Sequence, residues 1–169
     1  MVDEKDWEPR NEEEKYSIPV RNILKIAMGT ILSSAHKFYF DMVDGKIVNV
    51  LEDGSKACAA VISRILICVM YKNYVFLEGP HATVDSLVAD LELCGWANID
   101  LCARRPGSVV VWEEVDGNRH VGIGVSEYKV LSNCKEKKVP VLHDWTTESD
   151  DETPRAIERI LWHPLFADT

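Results

Sequence analysis

An α+β fold, helices first and strands after, is what the sequence predicts, and three observations carry it. Apolar residues recur at helical spacing through two stretches, 19–40 and 57–71. A third stretch, 84–93, lies between Thr83, a good N-cap, and Gly95, a natural C-terminal stop. From Arg105 to Trp145 the pattern changes to short β-branched and aromatic runs divided by turn dipeptides. The 169 residues fit one domain, and a 46% hydrophobic content is enough for a genuine core.

Residues 1–15 are mostly Asp, Glu and Lys around Pro9. They have little apolar area to bury and are expected to form a disordered acidic leader to a single domain spanning 16–169. Pro19 suits the first turn of a helix running to about Phe40, with Ile23, Ile26, Ala27, Thr30, Ile31 and Ser34 on one face. A hairpin turned by Asp44-Gly45 follows. The next helix, 57–71, carries Val61, Ile65, Cys68 and Val69 inward and places Cys58 in its first turn. After the Gly79-Pro80 loop comes the helix 84–93, with Val84, Leu87, Val88 and Leu91 as its apolar stripe.

Strands are expected at 108–112, 120–125, from about Tyr128, and through Val139 to Trp145, with Asp116-Gly117 turning a hairpin between the first two. Gly122 and Gly124 are expected to leave room for a backbone or a substrate. TTESDDETP is an acidic loop, and 156–166 is read as a final strand closing the edge of the sheet.

Charge and cysteine usage exclude several functions. With 28 acidic against 19 basic residues the net charge is -9, which argues against nucleic acid or an anionic membrane as partner. Apolar runs are broken by Arg21, Lys25, Lys56 and Arg64, so no membrane span is expected. Five cysteines without CxxC spacing suit neither a disulfide framework nor a zinc site. The acidic N-terminus lacks the features of a signal peptide.

A thiol in the first turn of a helix sits against unpaired N–H groups and the positive end of the dipole, which favour thiolate. Cys58 has that position, and a nearby imidazole would complete its activation. His120 opens a strand directly after a turn, where its ring can reach from the sheet rim. A histidine base needs a partner at its other nitrogen, and Asn133 and His143 are the candidates.

Cys58 heading a buried helix, then PGSVVVW at 106–112, then HVGIGV at 120–125 and a further strand with a polar residue, resembles the NlpC/P60 and CHAP-type cysteine peptidases. Their pattern has a cysteine at a helix start, a "pGDlvfw" strand and an "HvGiyvG" strand. The likeness spans about 58–145, and ATVDSLVADLELCGW is similar to the intervening segment of phage-type cell-wall hydrolases. It implies a papain-like α+β fold, with N-terminal helices packed on an antiparallel sheet or half-barrel. It also implies Cys58 as nucleophile and His120 as general base, then general acid. In relatives the third residue, a His, Asn or Gln, lies on the next strand. Counting along HVGIGVSEYKVLSN reaches Ser132, so the use of Asn133 needs a one-residue bulge, and His143 is the second candidate. The chain departs from the pattern at Ala57 and Ala59, where an acid and a serine are usual, and at Ser108, where Asp is common.

The resemblance thus implies a cysteine endopeptidase or amidase acting on an amide of peptidoglycan stem peptides, without cofactor or metal, as a monomer. An acyltransferase or deamidase on the same fold, or a catalytically silent binding module, are the alternatives. Lacking a signal peptide, such an enzyme is expected to act in the cytoplasm or to be released by a non-classical or phage route.

Overall fold

The computed structural model describes residues 16–54, 56–69, 71–147 and 154–167. The expected leader, 1–15, lies outside the described residues. Helix α1 (Ile18–Thr30) has Pro19 near its start and buries Val20, Ile23, Ala27 and Thr30. It ends well before Phe40. Leu32 takes a positive φ of 57°, and Ser33 accepts the Ala35 N–H to start a separate 3-10 turn, Ser34–His36. Serine side chains bonding locally to the backbone compete with helix continuation, which the apolar spacing does not report. Strands β1 (Phe40–Val43) and β2 (Lys46–Asn49) form the expected hairpin, with positive φ at both Asp44 and Gly45.

Helix α2 (Cys58–Ile67) is the central helix, burying seven of its ten residues. It stops short of Tyr71, and Cys68, expected on the inward face, is an exposed C-cap. Helix α3 (Val84–Leu93) begins as expected, with the Thr83 hydroxyl accepting the Ser86 N–H at 3.3 Å. Gly95 follows at φ 90°.

The remaining strands are β3 (Ala97–Ile99), β4 (Val109–Val115), β5 (Asn118–Gly124), β6 (Lys129–Cys134), β7 (Val139–Asp144) and β8 (Ile157–Trp162). They form one antiparallel sheet in the order β3-β8-β4-β5-β6-β7. The final strand exists, but it does not close the edge: β8 lies between β3 and β4. Ile160, Leu161 and Trp162 are all buried, as suits a strand covered on both faces, and the short β3 takes the edge instead.

Strict alternation sorts the sheet residues into two environments. Val109, Val111, Val121, Ile123, Leu131 and Leu161 join the helices in the main core. Val110, Trp112, Val130 and Ile160 face the other way and form a second cluster with Trp145. The two strand glycines serve that second cluster. A Cβ on Gly122 would lie 2.8 Å from the Trp112 ring, and one on Gly124 would lie 2.5 Å from the Trp145 ring. Backbone approaches closely as well, as expected, with the Leu131 carbonyl 2.9 Å from such a Cβ on Gly122 and the Arg105 carbonyl 3.0 Å from one on Gly124, so the room they leave is filled by indole and backbone.

Candidate active site

Cys58 is the first residue of α2, preceded by Ala57, whose side chain offers no cap. The helix-start N–H groups of Cys58 and Ala59 are aimed at its sulfur, and a third N–H comes from Val121 on β5. The origin of that third donor can be traced along the strand. Gly124 exchanges bonds with the Gly107–Ser108 segment on the β4 side, so Val121, three residues earlier, points its N–H towards β6. The β5–β6 register runs from Gly124–Val130 to Gly122–Ser132 and does not include Val121 and Asn133. The two strands part there, and the Cys58 sulfur lies at the opening.

Burial is the largest influence on the Cys58 thiol and pushes its pKa up. The N–H groups of Ala59, Val121 and Cys58 and the charge of Arg155 pull it down, without reversing the direction. This corrects the expectation of a helix start that favours thiolate: the desolvation of a thiol held between helix and sheet outweighs the dipole.

His120 is buried, paired with Trp112 across β4 and β5, and its ring packs on that indole at 5.2 Å between centroids. Its Nε2 lies 2.9 Å from Ser132 Oγ, and Ser132 Oγ lies 2.7 Å from His143 Nε2. His143 also packs against Trp112, at 5.5 Å. At the far end, His143 Nδ1 is 2.9 Å from the Asp144 carbonyl.

The chemistry of these atoms sets the direction of the chain. A carbonyl oxygen only accepts, so His143 Nδ1 carries a hydrogen, and the Nε2 of the neutral ring must accept. The Ser132 hydroxyl then donates to His143 and accepts from His120 Nε2–H. With both rings neutral, this chain puts the His120 hydrogen on Nε2 and the lone pair on Nδ1.

Asn133 turns to the other face of β6. Its Nδ2 donates to the Gly54 carbonyl at 2.7 Å, which ties β6 to the loop just ahead of Cys58. Of the two candidates for the third position, His143 reaches His120, and does so through Ser132. The residue that makes the direct contact is the one reached by simple counting along the strand, with no bulge required.

Cys58, His120, Asn133 and Arg155 line one cleft of about 860 Å³. Arg155 was not visible as a site residue in the sequence. It follows an acidic run, and nothing local marks it. In the structure it is 5% exposed, its Nε donates to the Glu113 carbonyl at 2.9 Å, and Nη2 donates to the Asn118 carbonyl. Among the described residues there is no cluster of three or more His, Cys, Asp or Glu suited to a metal, and no helix long and apolar enough to cross a membrane.

No protein-family model matches the chain, and no curated protein or solved structure matches it. What can be said of its chemistry rests on the site itself.

Proposed function

We propose that this protein is a cysteine amidohydrolase of papain-like design, cleaving an amide of a peptide such as a peptidoglycan stem peptide. The observation that supports it best is the hydrogen-bond chain His120–Ser132–His143–Asp144 carbonyl, which orients His120 in the cleft that Cys58 also lines.

In this reading the Cys58 thiol gives its proton to His120 Nδ1 as the sulfur attacks the amide carbonyl. The imidazolium that forms is stabilised through Ser132 and His143. N–H groups at the start of α2 receive the oxyanion. Collapse breaks the C–N bond, and the proton on His120 leaves with the amine, giving a thioester. Water then passes a proton to His120 and attacks the thioester, the C–S bond breaks, and the thiolate recovers the proton. The substrate class rests on the motif resemblance.

The test is turnover of muropeptides, with new amino groups counted, by the wild type and by Cys58→Ala and His120→Ala. Loss by about 1000-fold or more in both variants is expected. Full activity in Cys58→Ala would overturn the reading, and release only in the presence of added hydroxylamine would redirect it to acyl transfer.

A further inference from the structure

Asn133 is a polar residue in an apolar row. Val121 and Ile123 on β5 and Leu131 on β6 belong to the main core, and alternation puts Asn133, two residues after Leu131, on that same face, where it is 3% exposed. A carboxamide is costly to bury unless its atoms are hydrogen-bonded. One half of this one is satisfied. Carbonyl oxygens only accept, so the atom 2.7 Å from the Gly54 carbonyl and 3.5 Å from that of Cys134 is Nδ2, which fixes the way the amide points. Its Oδ1 accepts from no donor among the described residues. Among those residues Ser17 Oγ alone is a fully enclosed side-chain oxygen or nitrogen without a partner. The Asn133 oxygen is therefore open to the space that its residue lines, which is the Cys58 cleft.

Complementary hydrogen-bonding groups thus share one cleft. The start of α2 brings N–H donors around the Cys58 sulfur, and Asn133, at the level where β5 and β6 part, offers a fixed acceptor. A peptide group carries the matching pair, a carbonyl oxygen and an N–H on the adjacent nitrogen. Building on the cysteine reading, we propose that Asn133 Oδ1 accepts the N–H of the substrate's amide, so that the site takes secondary amides and discriminates against groups without that hydrogen, esters and amides of proline among them. A buried acceptor left unfilled costs more than a filled one returns, which makes this contact a selector as well as an anchor. The alternative role, a tether that holds the loop at Gly54 to β6 through Nδ2, would affect stability and the placing of Cys58 but would not distinguish an amide from an ester.

Two alkylating probes of nearly equal size make the distinction. N-methyliodoacetamide and methyl iodoacetate are attacked at the same carbon and differ by an N–H in place of an oxygen, so any change in thiol reactivity affects both and cancels in their ratio. The exposed Cys68 and Cys102 report the intrinsic ratio within the same molecule. In the wild type the amide-over-ester labelling ratio at Cys58 should exceed that at Cys68 and Cys102 about tenfold, a comparison that needs no variant to fold. Asn133→Leu should bring Cys58 down to the exposed-thiol ratio. Asn133→Asp, which loses the N–H to Gly54 and keeps an acceptor oxygen, should hold the excess. An equal ratio at all three cysteines of the wild type, an excess that survives Asn133→Leu, or one that is lost in Asn133→Asp overturns the amide-acceptor inference while leaving the nucleophile intact. No labelling of Cys58 by either reagent at neutral pH overturns the cysteine reading, and this inference with it.

Discussion

The two faces of the large sheet are both buried, yet they are built on different principles. On the helix face, Val109, Val111, Val121, Ile123 and Leu131 meet Ile62, Leu66 and Leu91 in an apolar core whose pieces are interchangeable within limits of volume. On the opposite face Trp112 packs against both His120 and His143 and donates Nε1–H to the Trp145 carbonyl at 2.8 Å, while Ser132 joins the two imidazoles. There the polar atoms are linked in one chain, and a change at one propagates along it. The comparison teaches that the helix face sets stability, whereas the indole face sets stability and the hydrogen bonding of two histidines together.

Replacing one large residue on each face sharpens that contrast most. Trp112→Ala should cost about 3–5 kcal/mol and Ile62→Ala about 2–5 kcal/mol in urea unfolding. Turnover per folded molecule should persist in the Ile62 variant and collapse in the Trp112 variant. Equal activity in both would erase the distinction between the faces.

Ser132→Ala is next in size. It deletes the hydroxyl between the two histidines with little change in volume, so activity should fall roughly 10–100-fold, short of the loss from removing the base itself. The fall should lie in kcat, because Ser132 is fully buried and joins His120 to His143. A change confined to KM would show that Ser132 has no part in orienting the base.

The smallest effects are those of pH on stability. Burial holds His163 below the ordinary 6.5, and burial together with the Arg64 charge does the same to His36. As pH falls below 6.5 the unfolded chain takes up these protons first, so stability present above that value is lost as pH falls through the lowered folded values. Burial also pushes Cys58 and Cys134 above 9.0, and Cys94 up to about 11. Their contribution is complete below 9.0 and is lost as pH rises towards the raised folded values. Thermal melts should therefore show a plateau between about pH 6.5 and 9, declining on both sides. A monotonic profile through that window would contradict these burials.

Much of the fold was legible because it is written in local periodicity. Thr83 with Gly95, Asp44-Gly45 and Asp116-Gly117 mark their elements by side-chain chemistry within a few residues. The position of β8 inside the sheet was not legible, since strand order depends on contacts between residues more than forty positions apart, as in the pairing of Val110 with Ile160. The same limit applies at the site. Cys58 stands out by its place at a helix start and His120 by its place close behind the Asp116-Gly117 turn. The role of Ser132 depends on which face of β6 meets β5, and Arg155 becomes noticeable only once it is seen buried in the cleft.

The central claim is that His120 supplies the basicity that burial denies to Cys58, and the rate of Cys58 alkylation by iodoacetamide across pH tests it most directly. The wild type should react at pH values well below the ordinary thiol value of 9.0, with His120 taking the proton as sulfur attacks, and His120→Ala only above that value. A single alkaline inflection shared by both proteins would contradict the account.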